Sequence, residues 1–497
     1  MENSFSKLQK ILTTLRRYTF DDKCRICQLA SASTMGRFSM SLSDSQPAEM
    51  FPWDVETFFT LSIAAKEWAY NSFDKNNISV FFNIMNDIHQ FQDLALTPFL
   101  CSPQFESSFY SPLCSQQYEV QETIDYKLFR YNYIFNFQNE NIDMRSIFYN
   151  KFNCPYSDFQ LIAIVLWLQF QIQDINPNHI TTFFATNFQS AFSNLLISRD
   201  NYLEELDKIT TNVFEYYLCF KPSFKYSFIN FDKIIYFPLP HLIVRNCTTS
   251  LLHRLTDLDN PLKDRIGKFV LEQYLYDIIL DSGVFDEVHP EVVYKQNGTN
   301  SYSSDVLTRC DDDFLFLECK SLSPKINVRL CNEISIKENI ERLAQGCVQL
   351  YNQLTVAFPY LFNPFVSSVI PNEDNVWGLL VVLEDSYLER SLIYARTAEL
   401  LNLSSSSKNY KWLTSHIGIV PLYSVERYCF TKTSLIDNLK SSAKSGFMNA
   451  NLLFGKILDA SIKSELVIRF RQELKQTIHD VGKQIGKSSN FEMLEDL

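Results

Sequence analysis

Hydrophobic and polar positions give the two halves of the chain different textures. Before residue 250, apolar residues recur at helical spacing, and Val55–Tyr70, Phe159–Gln173 and Thr181–Ile197 each predict a helix. Short apolar runs such as Ile234-Ile-Tyr-Phe237 predict strands. After residue 260 the rhythm sharpens. Asp264–Leu280 (DRIGKFVLEQYLYDIIL) predicts a helix that stops at Asp281-Ser-Gly283. Val292–Lys295 is strand-like and runs into the turn Gln296-Asn-Gly-Thr-Asn300. Two further strands, Ser303–Arg309 and Phe314–Lys320, flank Cys310-Asp-Asp-Asp313. A long helix follows over Lys337–Leu354, then the apolar strands Trp377–Leu383 and His416–Tyr423. This order predicts an α/β (α+β) domain around a mixed sheet flanked by helices. From about Lys440 onward a helical extension is expected, clearest in SELVIRFRQELKQTI.

Composition places the boundary. The chain has 497 residues, too many for one ordinary core. Of its 42 phenylalanines 30 precede residue 250, whereas ten of its 11 glycines lie from Gly267 onward. We therefore expect a mainly helical, aromatic-rich domain over 1–250, an α/β domain over 251–440 and a helical extension over 441–497. The first would recognise, sense or oligomerise.

A net charge of −12 excludes a polybasic nucleic-acid coat but leaves room for a local basic cleft. The longest apolar stretch, Leu161–Leu168, is far below the ~20 residues of a membrane span, so no membrane partner is expected. The amphipathic N-terminus lacks the apolar core and cleavage site of a secretory signal, and twelve irregularly spaced cysteines suit reduced thiols. A cytoplasmic protein is expected.

Candidate chemistry concentrates in Ser303–Ser321 (SSDVLTRCDDDFLFLECKS). Strand alternation puts Phe314, Phe316, Glu318 and Lys320 on one face and Leu315, Leu317 and Cys319 on the other. If Asp311-Asp312 is a two-residue loop, Cys310 faces Asp313 and Asp305 faces Glu318. Directly opposed carboxylates at ~5 Å repel by roughly 3 kcal/mol at an effective dielectric near 20. A divalent cation between them would convert that repulsion into binding, and hard oxygen ligands favour Mg²⁺ or Mn²⁺ over zinc. The competing reading is a hairpin end in which Lys320 simply neutralises Glu318, a pairing of little energetic weight when exposed.

At these residues the chain resembles the PD-(D/E)xK nuclease superfamily, the restriction-endonuclease-like fold. Asp305 stands for the first acid and Glu318-Cys319-Lys320 for the acid-x-Lys triplet that ends the next strand. Glu272, on the preceding helix, matches the additional acid many members carry. The resemblance covers roughly residues 260–430. Ser304 stands where the name-giving proline would be. Gln345 and Gln349 lie where RecB-like relatives carry Gln-x-x-x-Tyr, but neither has a tyrosine at that offset.

The resemblance implies metal-assisted hydrolysis of phosphodiester bonds, with DNA as the partner. Asp305, Glu318 and the Cys319 carbonyl would hold one or two Mg²⁺ (or Mn²⁺) ions. Lys320 would orient the attacking water or the scissile phosphate, and Glu272 would serve a second metal or a metal-bound water. By fold-level analogy such a chain is a bacterial restriction or anti-phage effector, with a homodimer or a regulatory partner protein to control it. The alternative is a non-catalytic nucleic-acid-binding or interaction protein on a nuclease fold.

Other motifs carry less. Cys24-x-x-Cys27 lacks further nearby zinc ligands, His89 and Cys101 being the nearest, and reads as ordinary thiols. Gly482–Ser488 imitates a phosphate loop with one residue too few between its glycines. Asp311-Asp312-Asp313 is sufficiently explained as a turn. Lys325, Arg329, Lys337, Arg342 and the lysines from Lys456 to Lys487 are candidate phosphate contacts, each interleaved with acids.

Overall fold

A computed structural model of the chain describes residues 2–35, 41–43, 46–47, 50–73, 78–100, 123–171, 177–209, 221–257, 259–296, 298–321, 333–357, 364–366, 371–386, 388–443 and 461–485. It is a mixed α/β structure with a helical N-terminal region. The chain forms two compact units, one of Met1–Ile124, Arg145–Asp257 and Lys475–Leu497, the other of Asp125–Met144 and Leu258–Leu474.

The first unit is built of helices, among them Glu2–Leu15, Phe20–Thr34, Pro52–Ala64 and Tyr156–Gln171. Leu8, Ile11 and Leu15 bury the stripe that made the N-terminus amphipathic. A three-stranded sheet joins them: Leu196–Ser198 pairs parallel with Phe228–Phe231, which pairs antiparallel with Ile234–Tyr236. One predicted helix is corrected. Thr181–Ile197 is two helices, Pro177–Asn187 and Gln189–Asn194, and its last residues enter the strand. Phe188 breaks the helix with φ −127° and ψ 45°. Apolar periodicity runs on regardless, because Phe184, Ala191, Phe192 and Leu195 are all buried.

The second unit holds the mixed sheet. Its elements, numbered here for this unit alone, begin with α1 (Ile124–Asn136), α2 (Asn260–Ile266) and α3 (Glu272–Ser282). The turn between α2 and α3, Gly267–Leu271, is π-helical, so the three segments run on as one helix. Gly283 ends it in the left-handed conformation, φ 61°, as the Asp-Ser-Gly signal predicts. Then come β1 (Glu287–Pro290), β2 (Val293–Gln296), β3 (Thr299–Tyr302), β4 (Val306–Cys310) and β5 (Asp313–Lys320). The helix α4 (Glu333–Asn352) follows, and then β6 (Val376–Val382), α5 (Arg390–Leu400), α6 (Lys408–His416) and β7 (Ile417–Pro421). The remainder is α7 (Leu422–Thr431), α8 (Leu435–Ala443) and the first half of α9 (Glu465–Ile485), a helix whose residues from Lys475 onward belong to the first unit.

The sheet order is β7-β6-β5-β4-β1, parallel over the first three strands and antiparallel over the last three. Strand β1 carries no clear apolar alternation and was not foreseen. Strands β5, β6 and β7 are buried almost throughout, which is why they are continuous apolar runs. Phe314, Phe316, Val376, Leu380 and Ile419 form one core with Ile336, Leu343, Cys347 and Leu350 of α4. The helix sits low on this sheet: a Cβ on Gly346 would meet Leu380 Cδ1 at 2.8 Å. A glycine in a helix interior costs about 1 kcal/mol against alanine, and here that close approach explains it.

The helix α1 belongs to this unit through a fully buried cluster. Arg130 Nε and Nη2 donate to Glu426 Oε1 and Oε2 at 2.6 and 2.5 Å, and the Tyr274 hydroxyl donates to Oε1 at 2.7 Å. Tyr133 adds a 2.6 Å bond to Asp277. Among the described residues no helix is long and apolar enough to cross a membrane.

Candidate active site

The β4–β5 hairpin has the register set by its two-residue loop. Cys310 pairs with Asp313 and the ladder continues to Val306 opposite Leu317. Asp311 takes the left-handed φ of 50° that the tight loop requires. The next pair would be Asp305 and Glu318, but the ladder stops one step short. Asp305 instead turns its carboxylate onto the main chain of the neighbouring strand, with the Cys319 N–H donating to Oδ2 at 2.6 Å. Both acids are nearly inaccessible, Asp305 at 7% and Glu318 at 3% exposure.

Lys320 and α4 complete the inner ring. Lys320 Nζ lies 2.6 Å from Glu318 Oε1, and Gln349 Nε2 donates to the same oxygen at 2.8 Å. Glu318 Oε2 is buried with no hydrogen-bond partner among the described residues. One oxygen of this carboxylate is therefore doubly bonded and the other is left bare, a costly arrangement for a buried charge. Gln353, one turn beyond Gln349, accepts a hydrogen bond from the Ser304 hydroxyl and so holds the residue before Asp305. Gln345 bonds Glu341 on an exposed face, away from these groups.

The outer ring comes from the helix ahead of the hairpin. Gly267 brings the π-helical turn against the end of β5: a Cβ there would stand 3.0 Å from Ser321 Oγ. Lys268, on this turn, lies 3.2 Å from Glu272 Oε2 and 3.1 Å from Glu291 Oε2. π-Helical turns inside helices are frequent at functional sites.

The carboxyl groups are shifted together. Burial, with the charges of Glu318 and Glu272, pushes Asp305 up to about 8. Glu272 is pushed up to about 7 by burial; Lys268 works against that, while Glu291 and Glu318 add to it. Burial also raises Glu318, against the pull of Lys320. For Lys320, burial favours the neutral amine, but the Glu318 carboxylate outweighs it and keeps the ammonium. All three carboxyls therefore hold their protons more tightly than free acids do.

The residues test well against a hard divalent ion. The open donors are carboxylate oxygens, one of them bare and buried, and burial keeps the neighbouring Cys319 a protonated thiol rather than a zinc-selecting thiolate. Among the described residues no three His, Cys, Asp or Glu side chains are grouped as a metal site by themselves. Mg²⁺ is commonly held by one or two carboxylates, with water and substrate phosphate filling the rest.

The structure thus brings together Asp305, Glu318, Cys319 and Lys320, and sets Glu272 close enough to feel Glu318. Sequence reasoning missed Lys268, Glu291 and Gln353. Of the other motifs, Cys24 and Cys27 are buried in the helix Phe20–Thr34, and burial raises both thiols well above their ordinary value. Gly482 lies within the helix α9, and Gly486–Ser488 fall outside the described residues. Asp313 accepts from Trp377 Nε1 at 3.0 Å and pairs with Lys440, so the aspartate run is a braced turn. Lys337 pairs with Glu333 on its own helix. Lys325, Arg329, Lys456 and Lys487 fall outside the described residues.

Comparison with known proteins returns no match among family models, curated proteins or solved structures.

Proposed function

We propose that the chain is a metal-dependent deoxyribonuclease built on a restriction-endonuclease-like core, hydrolysing DNA phosphodiester bonds at Asp305, Glu318 and Lys320. The observation that carries this reading is the bare, buried Glu318 Oε2 beside Asp305, with Lys320 at the rim. A buried carboxylate oxygen without a donor is expensive unless a cation is meant to meet it.

In this reading Asp305 and Glu318 would hold Mg²⁺ or Mn²⁺, with the Cys319 carbonyl as a further oxygen donor. A bound ion supplies Lewis-acid charge at the scissile phosphate and acidifies a water. Lys320, 2.6 Å from Glu318 Oε1, is the side chain whose ammonium would meet the phosphate or the attacking water. Gln349 keeps its bond to Glu318 and fixes the carboxylate plane. Asp305 is held in place by the Cys319 N–H, so that little side-chain freedom is lost on binding. The first unit would supply recognition or control, as in restriction or defence effectors, and a homodimer would present two such sites for two strands.

Supercoiled plasmid incubated with the purified chain in low salt tests this. Nicked or linear DNA formed with Mg²⁺ or Mn²⁺, absent in EDTA and absent for Asp305→Ala, is expected. Cleavage that persists in Asp305→Ala would contradict the assignment.

A further inference from the structure

The arrangement of Lys268 has a consequence for how many metal ions the site accepts; it rests on the nuclease reading above. An i,i+4 lysine–glutamate pair on a helix is ordinarily a surface feature. This pair differs in two respects. A third group from another part of the chain, Glu291, reaches the same ammonium at 3.1 Å, so one cation bridges two carboxylates. Glu272 is also no surface acid: its side chain is 21% exposed, and its charge is felt at Asp305 while that of Glu318 is felt at Glu272. Four acids therefore form one electrostatic group, Asp305 and Glu318 on the sheet and Glu272 and Glu291 beside them.

Two pairs of carboxylates could hold two divalent ions. The inner pair keeps a bare buried oxygen, Glu318 Oε2. The outer pair is already bridged by an ammonium delivered from the π-helical turn, which Gly267 seats against Ser321.

We propose that Lys268 is a built-in replacement for the second cation, bridging Glu272 and Glu291, so that the site takes one divalent ion per chain. Lys268 is then a positioning residue: it sets the outer acids and fixes metal stoichiometry without touching the reacting atoms. Glu272 stays paired to Lys268 and would not itself ligate the ion.

The test is Mn²⁺ binding to the full chain, read as loss of the free-ion electron paramagnetic resonance signal. Wild type should bind one ion per chain. Lys268→Met, checked for folding by a metal-free melt, should bind two, and Lys268→Arg one. Two ions on the wild type, or one on folded Lys268→Met, would overturn the proposal. Should the methionine variant fail to fold, Lys268→Gln takes its place with the same two outcomes. Glu318→Gln separates the two readings: wild-type binding that is absent, or unchanged in Glu318→Gln, would overturn the metal site itself.

Discussion

At Asp305 burial and neighbouring charge act in the same direction. Burial, with the charges of Glu318 and Glu272, raises its carboxyl from 3.8 to about 8, so the folded chain holds this proton more tightly than the unfolded chain does. The resulting stability is full below the unfolded value and is lost as pH climbs through the folded one. Metal-free protein should therefore melt lower at about pH 8 than at about pH 6, and Asp305→Asn should flatten that difference. Thermal melts in EDTA check it. Metal should reverse the trend, because binding must displace the proton: Mn²⁺ affinity should rise with pH toward about 8. Affinity independent of pH would mean that the ion does not meet Asp305. The hairpin register was legible as far as Val306 opposite Leu317, because a two-residue loop fixes the ladder; the turn of Asp305 onto the Cys319 N–H was not. Lys268, Glu291 and Gln353 were not, because each reaches the site from a separate element and looks like an ordinary solvated residue.

The helices that carry Gln349 and Glu272 are placed by glycines. Gly346→Ala would put a methyl group into Leu380, itself fully buried in the sheet core, and should cost about 1–3 kcal/mol by chemical denaturation despite the better helix propensity of alanine. A neutral or stabilising result would show that α4 can lift from the sheet without penalty. The buried pair Arg130–Glu426 is the corresponding feature on α1. Removing one partner leaves an uncompensated charge, so Arg130→Ala should lose about 3–5 kcal/mol. Strands β5, β6 and β7 were legible as apolar runs long enough to be buried on both faces. That α1 joins this unit was not, since Arg130 and Glu426 are 296 positions apart and a lone charge on a helix looks solvated. Nor does the π-helical turn have a signature in local propensity.

For the whole molecule, a net charge of −12 sets the chain against its proposed substrate. DNA should be held through a few local cations together with the metal, so cleavage should fall steeply with added salt, at least tenfold between about 50 and 200 mM. The glycine and phenylalanine trends divide the chain once, near residue 250, and carry no sign that Asp125–Met144 goes with the second unit or Lys475–Leu497 with the first. The decisive measurement is plasmid cleavage by Lys320→Ala beside the wild type, at matched Mn²⁺ occupancy. A loss on the order of 10²–10³-fold in rate, with Mn²⁺ still bound, is predicted if Lys320 acts on the phosphate or the attacking water. Equal cleavage by both proteins would contradict the placement of a nuclease site at Asp305, Glu318 and Lys320.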